Sequence, residues 1–151
     1  MRILISACLM GSPVRYDGKE KHYAEVEDLL RDPGVEAVPF CPECAGGLPV
    51  PRTPSERRGE QVVDQEGRDV TEAFREGARR TVQMAIETGC KAALLKARSP
   101  SCGSGTIYDG TFSGTIVSGD GVAVEALREA GIPVYSETDI QRLKEEILCN
   151  R

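Results

Sequence analysis

Three cysteines of this chain stand in equivalent places. Cys8 follows the apolar run Ile3-Leu4-Ile5, and Cys41 follows Val35-Glu36-Ala37-Val38-Pro39. Cys102 closes a stretch that leaves Ala92-Ala93-Leu94-Leu95. Short apolar runs of this kind read as strands buried on both faces of a sheet. If the three are parallel neighbours, their thiols gather beyond the carboxyl ends of the strands, where open α/β sheets bind ligands. The third stretch is dense in reactive groups: Lys96, Arg98, Ser99, Ser101 and Cys102 follow one another closely. Pro100, Gly103 and Gly105 allow tight turns there.

Three soft thiolates suit an iron–sulfur cluster. A four-iron cluster on three ligands keeps one iron open, a Lewis acid toward a substrate sulfur or oxygen. Glu43, two residues after Cys41, and Ser99 and Ser101, beside Cys102, would flank that position. A carboxyl group there can serve as general acid or base. Each residue also has a plainer reading. A free cysteine often behaves as a small buried hydrophobe, and Cys90 and Cys149, at helix ends, are assigned to that role. Glu43 could be a solvated loop carboxylate, and the serines could be turn formers around Pro100.

Cys41-Pro42-Glu43-Cys44 is a C-x-x-C, the spacing of a thiol–disulfide centre or of half a zinc site. The redox version expects the pair to open a helix that lowers the thiol pKa, and Gly46, Gly47 and Pro49 oppose a helix here. Structural zinc sites use two close pairs, and this chain has one. His22 is the sole histidine and a weak candidate as a lone ligand.

The elements that must position these groups can be read from periodicity. Strands are predicted over 2–6, 35–39, 91–96 and 133–135. A short amphipathic helix is predicted over 22–31. A long one lies between an N-cap at Thr71 and a C′ glycine at Gly89; Gly77 within it suggests close packing on the sheet. A third helix ends at Gly131, and Ile140, Leu143, Ile147 and Leu148 mark the last. Residues 40–60 fit no regular element. Gln61–Asp64 and Arg68–Val70 suggest a hairpin about Glu66-Gly67, and residues 107–112 a second about Asp109-Gly110. The order β-α-β-α-β-α-β-α, with loops between, predicts an α/β domain: one parallel sheet with helices on both faces.

With 151 residues, 40% hydrophobic and 28% charged, the chain is expected to be one globular domain. A net charge of −5 gives no general attraction to nucleic-acid phosphates, although Arg52, Arg57 and Arg58 could form a local basic patch. No apolar run approaches a membrane span, and no signal-peptide layout opens the chain. A cytoplasmic location is therefore expected, where six cysteines are not a disulfide framework.

Three motifs in order carry a specific resemblance. They are Ser6-Ala7-Cys8-Leu9-Met10-Gly11 with Val14-Arg15-Tyr16-Asp17-Gly18; Cys41-Pro42-Glu43 with Gly46-Gly47-Leu48-Pro49 and Pro51-Arg52; and Lys96 with Arg98-Ser99-Pro100-Ser101-Cys102-Gly103 and Tyr108-Asp109-Gly110. Together they resemble a widespread bacterial domain-of-unknown-function family related to the N-terminal domain of thiouracil desulfidases. The resemblance implies a single Rossmann-like domain over residues 1–151. It implies an oxygen-sensitive [4Fe-4S] cluster on Cys8, Cys41 and Cys102. It also implies non-redox removal of sulfur from a thiolated pyrimidine base or nucleoside, with Glu43 and a serine, Ser99 or Ser101, as acid–base groups. The family more often has an apolar residue where Cys44 stands, and longer desulfidases carry a second domain that this sequence does not. The alternative is a non-enzymatic zinc or iron–sulfur module serving a partner protein. No sequence feature identifies such a partner.

Overall fold

A computed structural model describes residues 1–11, 16–18 and 23–149. Strands β1 (Arg2–Ser6), β2 (Glu36–Phe40), β5 (Ala92–Leu95) and β8 (Val134–Ser136) form one sheet in the order β2-β1-β5-β8. All three pairings are parallel, with Ile5 beside Pro39 and Leu94, and Leu95 beside Ser136. The three runs that precede the cysteines are therefore adjacent.

Side chains alternate across this sheet, and each face is covered. Ile3, Ile5, Ala92, Leu94 and Tyr135 pack with Val26 and Leu29 of α1 (Ala24–Leu30) and with Ile140 and Leu143 of α5 (Ile140–Leu143). Leu4, Ala93, Leu95 and Val134 pack on the opposite face with Ala85 of α3 (Thr71–Glu87) and with Val124 and Leu127 of α4 (Val122–Glu129). Each fully buried Leu or Ile contributes roughly 1.5–3 kcal/mol by leaving water. The expected α/β architecture with helices on both faces is the one observed. Among the described residues no helix is long and apolar enough to cross a membrane.

The helix predicted over 22–31 begins at Ala24; His22 lies outside the described residues. The final helix changes to a π-helical turn over Lys144–Leu148. Gly89 and Gly131 take φ 68° and 80° just past α3 and α4, the left-handed stops that glycine allows.

Residues 40–60 are more regular than their composition suggests. The C-x-x-C does open a helix, α2 (Pro42–Ala45), with Cys41 as its N-cap. Proline is favoured in a first helical turn, where its missing N–H costs nothing, and Gly46 falls just beyond the helix. Strand β3 (Ser55–Arg58) pairs antiparallel with β4 (Gln61–Asp64), turning at Gly59-Glu60. The hairpin expected about Glu66-Gly67 is reduced to a bridge between Val63 and Asp69. Thr71 is the first residue of α3 rather than its cap: its Oγ1 accepts the Val62 N–H at 2.9 Å, tying the helix to β4. In the other hairpin, β6 (Thr106–Tyr108) pairs with β7 (Ile116–Ser118) across a turn longer than Asp-Gly alone.

Gly77 faces α2, not the sheet. A Cβ on Gly77 would lie 2.0 Å from the Pro42 carbonyl oxygen, and one on Gly46 would lie 2.0 Å from that of Ala73. The two glycines let α2 lie directly on α3. Gly77→Ala is expected to destabilise the fold by about 1–3 kcal/mol in urea unfolding, because the clash with backbone outweighs alanine's better helix propensity of about 1 kcal/mol. An unchanged unfolding midpoint would mean that this contact is slack.

Candidate active site

Parallel register delivers the first residues beyond each strand to one edge of the sheet. Beyond β1 the chain turns at once into a 3-10 segment, Ala7–Met10, which carries Cys8. Beyond β2, Cys41 caps α2, which carries Glu43. Beyond β5 runs the loop from Lys96 to Cys102. Its carbonyls at Pro100 and Ser101 accept the N–H groups of Val122 and Ala123 at 2.8 and 2.9 Å. The exposed donors of the first turn of α4 are thereby satisfied, and the loop is fixed. Gly121 makes this possible, since a Cβ there would lie 2.4 Å from the Ser101 carbonyl carbon.

A cavity of about 580 Å³ lies at this edge. Cys8, Cys41, Cys102, Glu43, Ser99 and Ser101 all line it, as do Arg52, Lys96 and Glu137. A smaller groove between α3 and α4 is crossed by the Arg57–Glu125 ion pair and contains none of the thiols.

Within the cavity, Glu43 is held from both sides. Ser101 Oγ donates to its Oε2 at 2.8 Å, and Ser99 Oγ lies 3.3 Å from the same oxygen. Arg52 Nε donates to Oε1 at 3.1 Å. The Glu43–Arg52 pair is largely buried, so Glu43 is not the solvated loop carboxylate of the plainer reading. Ser99 does both jobs weighed for it. Its Oγ accepts the N–H groups of Ser101 and Cys102, each at 3.1 Å, shaping the turn, while the hydroxyl also faces Glu43.

Hydrogen-bond donors also face the sulfurs. Ser6 Oγ donates toward Cys102 Sγ at 3.6 Å, and the Cys44 N–H toward Cys41 Sγ at 3.4 Å. Burial pushes the Cys102 thiol up to about 12. Burial also pushes Cys41 up to about 12, only partly offset by the Cys44 N–H. A one-turn helix thus does not make Cys41 an acidic thiol, and the redox role loses to burial rather than to a missing helix. A multiply charged metal group reverses this balance, because a coordinating thiol gives up its proton. Three thiols with donors already aimed at two of them fit such a group. Among the described residues no three Cys, His, Asp or Glu side chains converge on a single-ion position.

Cys90 is buried, with Thr88 Oγ1 3.2 Å from its sulfur. Cys149 is exposed, contrary to the burial expected for it, because it falls past the last turn that reaches the core. Nor do the three arginines make an open basic patch. Arg52 is on Glu43, Arg57 is on Glu125, and Arg58 donates to the Gly110 carbonyl. Two cavity residues are poorly marked in the sequence. Arg52 stands out there for its charge and as the end of the second motif, with no role attached, and Glu137 not at all, although it is the first residue beyond β8, a position like those that single out the cysteines.

Fold and site together define a small α/β protein with a thiol-lined ligand cavity at the carboxyl edge of its sheet. The chain belongs to the 2-thiouracil desulfurase family, whose model matches residues 3–139, and it is accordingly an enzyme. It is 40% identical over 148 residues to the uncharacterized protein YbbK of Bacillus subtilis (strain 168), covering 91% of this chain and 97% of that one. A solved structure of a [4Fe-4S]-dependent thiouracil desulfidase, TudS, matches with a TM-score of 0.91 and 46% identity over 98% of both chains.

Proposed function

We propose that this chain is a [4Fe-4S]-dependent, non-redox desulfidase that hydrolyses the C=S bond of a thiolated pyrimidine. The observation that supports it best is one cavity holding three thiols together with a carboxylate braced by two hydroxyls and a guanidinium. Cys8, Cys41 and Cys102 would hold the cluster. Bound on three thiolates, a cluster supplies an open iron, a Lewis acid suited to a departing sulfur, with no electron required.

The chain's own groups handle water and protons. Hydrolysis exchanges the thiocarbonyl sulfur for the oxygen of water and releases hydrosulfide. Glu43 takes a proton from the attacking water. Arg52, fixed on Oε1, holds the plane of the carboxylate. Each serine has one proton to give: Ser101 directs its proton to Glu43, and Ser99 orients both. As charge grows on the ring, these hydroxyls can turn toward it. The test is anaerobic incubation of the reconstituted protein with 4-thiouracil and no reductant. Sulfide and uracil should appear in equal amounts. Intact cluster without consumption of any thiolated base or nucleoside would contradict the assignment.

A further inference from the structure

The cavity wall away from Glu43 carries an ion pair that the acid–base chemistry does not use. Glu43 stands past β2 and Glu137 past β8, at opposite edges of the four-stranded sheet, about 14 Å apart at ordinary strand spacing. Lys96 and Glu137 meet because Leu95 and Ser136 are register partners and each is followed by one member of the pair. Glu137 is 11% exposed; its Oε1 accepts the Ala97 N–H at 2.7 Å and its Oε2 takes Lys96 Nζ at 2.8 Å. Lys96 Nζ also donates to the Ala97 carbonyl at 3.3 Å. An ammonium has three N–H donors, so one remains without a partner among the described residues. The Lys96 side chain is 34% exposed and borders the cavity. A pair drawn into a cavity loses hydration and returns little stability on its own. A fixed cation with a spare donor facing a ligand space has a use there.

We propose that Lys96, held in place by Glu137, determines specificity by donating a hydrogen bond to the ring oxygen that a thio-oxo-pyrimidine retains. This deepens the desulfidase assignment and rests on it. Such a ring carries its thiocarbonyl and carbonyl two positions apart. With the sulfur toward the thiols, the oxygen is directed to a different wall, and Lys96 offers a cation there. A charged donor on that oxygen fixes the orientation of the ring and so holds the thiocarbonyl carbon in place for attack by water. Lys96 is the contact residue; Glu137 is a positioning residue that acts through it.

The experiment compares the reconstituted full chain with Lys96→Met. The substrates are 4-thiouracil and pyrimidine-4-thione, which has the same C=S bond and no carbonyl oxygen. The parent should favour 4-thiouracil in kcat/KM by roughly 10–100-fold, the worth of a hydrogen bond to a charged group. Lys96→Met should erase that preference through the 4-thiouracil rate, with the cluster spectrum unchanged. Equal losses on both substrates, or an unaltered preference, would overturn the proposal. Equilibrium binding of uracil against pyrimidin-4-one to the parent protein serves if the variant cannot hold a cluster. Tighter uracil binding supports the proposal and equal affinities overturn it. If the parent consumes neither thione but still prefers uracil over pyrimidin-4-one, and Lys96→Met removes that preference, the desulfidase assignment fails while the contact between Lys96 and the carbonyl oxygen is retained as a binding contact.

Discussion

Cys8→Ala, Cys41→Ala and Cys102→Ala should each abolish cluster retention. The parent protein reconstituted without oxygen should hold about four irons and four sulfides, and each of these variants close to none. The three residues lie on separate segments, following β1, β2 and β5, so no neighbouring cysteine of the same segment replaces Cys8 or Cys102. Cys90→Ala and Cys149→Ala should keep the cluster, since one thiol is buried against Thr88 and the other lies exposed at the end of the last helix. Cys44→Ala is the sharpest control. Cys44 is not among the residues lining the cavity; its thiol meets that of Cys41, but the N–H that faces Cys41 Sγ at 3.4 Å is a backbone group that alanine also has. Iron content should survive that substitution. A loss equal to that of Cys41→Ala would make Cys44 a ligand.

Glu43→Gln should leave the iron content and absorption spectrum intact and lower sulfide release by roughly 10²–10⁴-fold, the usual size of a lost acid–base group. Glutamine keeps one carbonyl oxygen to accept from Ser101, which retains the hydrogen bond between α2 and the 96–102 loop and gives up the ion pair with Arg52. What disappears is the carboxylate that takes the proton. Activity equal to the parent would remove Glu43 from the mechanism. Loss of the cluster in Glu43→Gln would instead make the residue structural.

The part of this site that is legible in the sequence is the part set by strand ends. Apolar runs such as Ile3-Leu4-Ile5 and Ala92-Ala93-Leu94-Leu95 define buried parallel strands, and parallel register sends the residues after each strand to one edge. Cys8, Cys41 and Cys102 owe their places to that logic. Glu137 obeys it too, but Val134-Tyr135-Ser136 is short and ends in a polar residue, so its end attracts less notice. Arg52 has no such signal. It belongs to the second motif, but its place beside Glu43 depends on the path of the chain from α2 through Pro49, a tertiary matter. The helix at the C-x-x-C is obscured because the same Gly46 that opposes helix continuation is what lets α2 settle on Gly77 of α3. The turn about Glu66-Gly67 forms and closes the Val63–Asp69 bridge; the second turn, at Gly59-Glu60, is hidden in the sequence because the polar run Ser55–Arg58 does not read as a strand until it pairs with β4.

Hydrolysis of a thiocarbonyl with no electron transfer is tested most directly in oxygen-18 water. Reconstituted protein, 4-thiouracil and labelled water, kept free of oxygen and of any reductant, should give uracil with one labelled oxygen for each sulfide released. Turnover that requires a reductant, or uracil formed without the label, would contradict it.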